Sequence, residues 1–122
     1  MSSRIIKAVQ IILGLFMIVI GFNKFLVFTE IPSPPGDGGT LMQIYISSGF
    51  LQLVGALEIV GGLGLLINRV VPIALILITA IMFNATVFHL LHDFSGVGPA
   101  ACCLGLSLLL IFSNRNRLLN FL

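Results

Sequence analysis

Glu58 stands well inside the apolar run from Phe50 to Ile67, where lipid would be its only neighbour unless protein surrounds it. An ionisable side chain at that depth is costly, and intramembrane acids mark ligand sites and proton pathways. A carboxyl group so placed can bind a polar group of a ligand or carry a proton. The plainer alternative is a neutral carboxylic acid that hydrogen-bonds to a neighbouring helix and fixes packing. Both readings turn the side chain toward protein. Gly55, Gly61 and Gly62 share a broad helical face with it and let other helices approach.

Four more polar side chains are candidates for the same site: Lys24, Asn23, Asn84 and His89. At ~1.5 Å per helical residue, Glu58 lies about 14 Å above the inner end of its span, Asn84 about 20 Å, and Lys24 and His89 about 25 to 28 Å. These heights describe a ladder, and a direct Lys24–Glu58 contact requires both long side chains to reach toward each other or the second span to begin later. A buried carboxylate gains from such a partner. Lys24 is close enough to the end of its helix to snorkel to head groups instead, with Phe25 and Phe28 anchoring the interface. Asn23 and Gln52 read first as interhelical hydrogen-bond glue, and Asn84 shares their chemistry.

His89 and His92 lie three apart on one helical face with Asp93 beside them. That spacing could hold a metal, yet third and fourth ligands are missing unless Glu30 or Asp37 folds over, so no metal site is assigned. A proton relay through His89 suits an unperturbed imidazole pKa near ~6.5. Cys102 and Cys103 are the only cysteines. Adjacent in a helix, they point about 100° apart, cannot form a redox pair, and read as small buried packing residues. The sequence carries no phosphate loop, haem attachment motif or serine triad, and Gly61-Gly62-Leu63-Gly64 is part of an apolar helix and not a dinucleotide fingerprint. No residue is assigned to catalysis.

The elements that must position these residues are membrane helices. The chain has 122 residues, 58% hydrophobic and 8% charged, with a mean hydropathy of +1.19; soluble domains carry about 25% charged residues. The bilayer is its solvent. Four stretches are long enough to cross: roughly 5–28, 44–67, 70–91 and a shorter 97–112. Short turns at Asn68 to Val71 and His92 to Gly96 favour antiparallel neighbours, so the expected fold is all-α, a single integral membrane antiparallel four-helix bundle over 1–122. Pro72 and Pro99 fall near helix starts, where a missing N–H costs least. The first span is read as retained, because Asn23, Lys24 and Phe25 carry it past a signal peptide's length and no small-x-small cleavage site follows.

Arg4, Lys7, Arg69, Arg115 and Arg117 fall on one side of this bundle, and Glu30, Asp37 and Asp93 on the other. The basic side is expected in the cytoplasm with both termini. No basic run or interleaved aromatics suggest nucleic-acid binding. The outer loop, 29–43, is rich in proline and glycine through Thr40, and is either a lid or a plain connection. Gly14 and Gly21, Gly55 and Gly62, and Ala101 and Gly105 read as close-approach seams on the first, second and fourth spans. Phe16, Phe83 and Phe88 line a pocket or face acyl chains.

The order Gly21-Phe22-Asn23-Lys24-Phe25, a Pro/Gly loop, Gly55-Ala56-Leu57-Glu58-Ile59-Val60-Gly61-Gly62, Val71-Pro72-Ile73-Ala74, and then Asn84 with Phe88-His89 resembles the DoxX family across almost the whole chain. The resemblance implies a small bacterial or archaeal four-helix protein of the cell membrane. Some relatives are linked to thiosulfate:quinone oxidoreduction or to oxidative-stress complexes. Together with the polar residues above, the first expectation is a subunit of a membrane redox system, with no covalent cofactor, binding a quinone or another amphipathic molecule among Glu58, Lys24, Asn23, Asn84 and His89. A membrane or peripheral redox partner would supply electrons, and a homodimer would supply what one copy lacks. Two alternatives stay open: a non-catalytic assembly or chaperone subunit, and a proton-coupled transporter, weakened by the lack of an inverted repeat.

Overall fold

The computed structural model describes residues 2–26 and 34–121, an all-α bundle built on four helices long and apolar enough to cross a membrane. The spanning helices are α1 (Ser3–Leu26), α3 (Phe50–Ile67), α4 (Val71–His92) and α5 (Val97–Ser113), the last preceded by a 3-10 turn, Phe94–Gly96. Two shorter helices flank them, α2 (Asp37–Ser48) and α6 (Arg115–Phe121). No span has more than 39% of its most apolar stretch buried, so most of each helix presents Leu, Ile, Val and Phe outward, as a multi-pass membrane protein must.

The buried positions of α1 are Gln10, Leu13, Gly14, Met17 and Gly21, and those of α3 include Leu51, Gly55, Glu58, Gly62 and Leu65. Both series recur at three and four residues, which makes one continuous stripe per helix. The stripes meet at glycines. A Cβ on Gly62 would stand 2.5 Å from the Gly14 carbonyl oxygen, and one on Gly55 would stand 2.7 Å from that of Gly21. In lipid, helix association rests on such close van der Waals approach, since apolar burial gains nothing over the acyl chains. Leu13, Met17, Leu65, Leu75, Ile78 and Leu110 fill the core between α1, α3, α4 and α5.

Polar clasps tie the same helices. The Gln10 amide, 3% exposed, donates to the Leu65 carbonyl oxygen at 2.7 Å and to Asn68 Oδ1 at 3.3 Å. Thr79 Oγ1 donates to the buried Ser107 Oγ at 3.0 Å, joining α4 to α5. Pro72 occupies the first turn of α4 as expected.

Three expectations are corrected. The predicted second span, 44–67, is two helices: Gly49 adopts φ 82°, donates its N–H to the Ile46 carbonyl at 3.3 Å to close α2, and starts α3 at Phe50. A left-handed residue at this point is what glycine alone adopts without strain. Residues 37–43 of the predicted outer loop are accordingly helical, while 29–33, with Glu30, lie outside the described residues, as does Phe28. Finally, the seam expected on the last span does not pack against the described residues, because Ala101 is exposed and a Cβ on Gly105 would meet none of their atoms within 4 Å.

Candidate functional site

Lys24 follows Gly21 by three residues, so it extends the stripe that α1 turns toward α3, and its side chain is committed to protein before any ligand is considered. Its Cβ lies against Gly55, where a Cβ would be 2.9 Å away. Lys24 Nζ meets Glu58 Oε1 at 2.7 Å, with the carboxylate side chain 2% and the lysine side chain 20% exposed.

The ladder expected from axial heights is thus closed by side-chain direction. Gly21 lies opposite Gly55, and Lys24 stands three residues beyond the first on α1 while Glu58 stands three residues beyond the second on α3, an offset of about one helical turn each from the glycine contact. Side chains on a helix lean toward its N-terminus, and for this pairing order the two lean toward each other. The offset is within their joint reach. The shorter α3 leaves Glu58 eight residues from its first residue, Phe50, about 12 Å along the helix.

Beside the pair lies a cavity of about 840 Å³, lined by all five residues singled out in the sequence, Glu58, Lys24, Asn23, Asn84 and His89. Its walls are apolar: Phe16 and Ile20 from α1, Leu51 and Val54 from α3, Phe88 from α4 and Ala100 from α5. Met42 and Tyr45 of α2 also reach it, so the part of the predicted loop that is helical covers this site. α2 is seated by Gly38, whose missing Cβ would stand 2.7 Å from His92 Cβ.

Asn84 Nδ2 donates to the Ala80 carbonyl of its own helix at 2.9 Å. His89 Nδ1 lies 3.2 Å from the Asp93 carbonyl oxygen and 3.7 Å from Asp93 Oδ2, which orients the imidazole at the cavity wall. Its ring packs on Gly96, where a Cβ would stand 2.5 Å from Cε1. His92 instead stacks near Phe88 at 5.4 Å between ring centroids and under α2. Among the described residues no three of His, Cys, Asp and Glu come together as metal ligands would.

Gln52 Oε1 is buried without a hydrogen-bond partner among the described residues. Of the cysteines, both expected to be buried, Cys103 is buried and lines the cavity while Cys102 is exposed; neighbours 100° apart on one helix cannot share a face. Phe16 and Phe88 line the cavity, and Phe83 is 58% exposed and faces outward. Met42 and Tyr45 are hidden from the sequence in a segment that reads as loop and span, whereas the spacing of Gln10 from Gly14 and Met17 places it on the buried stripe.

The bundle, its outward apolar faces and its internal ion pair define a multi-pass helical membrane protein with a partly polar intramembrane chamber. The model of the DoxX-like family matches residues 8–112, and the chain belongs to that family. No curated protein and no solved structure matches it.

Proposed function

We propose that this protein is a subunit of a membrane redox system and that its chamber binds a quinone or a similar amphipathic molecule, with the Lys24–Glu58 pair as the polar anchor. The observation that carries this reading is a buried ion pair opening onto about 840 Å³ of largely apolar space. Small-molecule sites typically have volumes of about 300–1,000 Å³, apolar walls and a few converging polar groups. A quinone head group fits the donor set. Lys24 offers N–H donors to a carbonyl oxygen, His89 offers a second donor in one tautomer, and the aromatic rings of Phe16, Tyr45 and Phe88 offer flat apolar faces.

A quinone bound here would supply two-electron chemistry coupled to the uptake of two protons. Lys24 Nζ can hand the one proton of the pair to a carbonyl oxygen, with Glu58 holding the protonated lysine in place across 2.7 Å until it does, and the second proton and the one that restores the pair come from outer water. His89, held by Asp93 at the α2 end, is the group that exchanges protons between the chamber and outer water. Electrons come from a membrane or peripheral redox protein. The reading includes antiparallel helices with both termini cytoplasmic; the reversed glycine pairs Gly14–Gly62 and Gly21–Gly55, and the gathering of Lys7, Arg115 and Arg117 at one end, support it.

Solvent extraction of protein reconstituted in nanodiscs doped with menaquinone tests the proposal. Wild type is expected to retain about one quinone per chain, and Lys24→Met to retain at least about tenfold less. Equal quinone content in wild type, Lys24→Met and empty nanodiscs contradicts it.

A further inference from the structure

At the end of the bundle away from α2 lies a second cavity of about 580 Å³, to which the proposed redox role assigns nothing. Lys7 of α1 and Arg115 and Arg117 of α6 line it together with the amides of Asn68 and Asn114, and none of the described lining residues is acidic. The arginines are held in place. Arg117 Nη2 donates to the Asn68 carbonyl oxygen at 2.9 Å. Arg115 Nη1 donates to the Phe112 carbonyl oxygen at 2.9 Å, and its guanidinium sits 4.4 Å from the centre of the Phe112 ring. Asn68 is fixed in turn by the buried Gln10 amide. A guanidinium has five N–H donors, so each arginine keeps donors for a further acceptor.

Three cations around one recess without a counter-charge call for an anion, and the planar guanidinium fork matches the oxygens of phosphate. We infer that this cavity is a phosphate site, taking the phosphate group of an anionic lipid or free phosphate. Its position at the ends of spanning helices, with Phe112 in its wall, is the setting in which basic pockets hold lipid head groups.

Thermal unfolding in phosphatidylcholine nanodiscs tests this, with dioleoyl-phosphatidylglycerol titrated into the bilayer in one arm and inorganic phosphate added in the other. A ligand that binds the folded state raises the midpoint. Lys7→Gln, Arg115→Gln and Arg117→Gln are each expected to raise the half-saturating concentration about fivefold. Arg4→Gln and Arg69→Gln remove equal charge at exposed positions outside the cavity and are expected to leave it unchanged. Each variant is referred to its own midpoint in pure phosphatidylcholine, and Lys7 is exposed, so Lys7→Gln keeps the test open if an arginine variant fails to fold. A response to phosphatidylglycerol alone assigns the head group, and a response to inorganic phosphate assigns the free anion. No stabilisation in either arm, or equal weakening by all five variants, overturns the inference.

Discussion

The Lys24–Glu58 contact is the residue-scale fact from which the rest follows, and it is asymmetric. Glu58 is sealed in the bundle while Lys24 keeps a fifth of its side chain accessible near the end of α1. Removing one partner of a buried pair strands the other charge and costs about 3–5 kcal/mol. Lys24→Met, which strands the sealed carboxylate, is therefore expected to destabilise the protein more than Glu58→Gln, which leaves a lysine able to swing outward. The double variant, with no charge to strand, should recover most of the loss. A double-mutant cycle of thermal unfolding in nanodiscs measures this, and strictly additive losses would contradict the pairing. The acid's burial was legible because a carboxylate in the middle of an eighteen-residue, largely apolar helix has nowhere else to go. The pairing was not, because axial heights locate Cα atoms and omit the direction in which side chains lean.

At the scale of elements, α1 and α3 form the frame that sets this contact, and glycine sets their distance. Gly55→Ala would drive a methyl into the Gly21 carbonyl at 2.7 Å, so it is expected to part the helices, lower the unfolding midpoint and weaken ligand retention in the chamber. Gly105→Ala is the control: it meets nothing within 4 Å and replaces the poorest non-proline helix former, so stability should hold or rise by up to about 1 kcal/mol. Gly49→Ala separates backbone from packing. A Cβ there meets nothing within 4 Å, yet φ is 82°, so the expected loss of about 1–2 kcal/mol is conformational alone. Urea or thermal unfolding of the three variants ranks them. The four spans were legible from length and hydropathy. The break at Gly49 was not, because Ile44, Tyr45 and Ile46 continue the apolar run and only Ser47-Ser48-Gly49 hints at a stop. That break is what places Met42 and Tyr45 over the chamber.

On the scale of the whole molecule the protein is polarised. One end gathers Lys7, Arg115 and Arg117 around a polar recess, and the other carries α2 and Asp93. The proposed orientation is checked with a Cys102→Ala/Cys103→Ala background: a cysteine at exposed Thr40 should react with an impermeant maleimide from outside intact cells, and cysteines at exposed Arg4 or Asn116 only after permeabilisation. The charge asymmetry was legible from the sequence, while the gathering of five polar residues from α1, α3 and α4 around one space depended on helix rotation that hydropathy does not fix. The most direct measurement of the central claim is photolabelling with an azido-quinone in nanodiscs, followed by peptide mass spectrometry. Label is expected on chamber residues such as Phe16, Tyr45 and Phe88, competed by unlabelled quinone and lost in Lys24→Met. Label confined to outward-facing positions such as Phe83 and Phe22, insensitive to competitor and to Lys24→Met, is the opposite result.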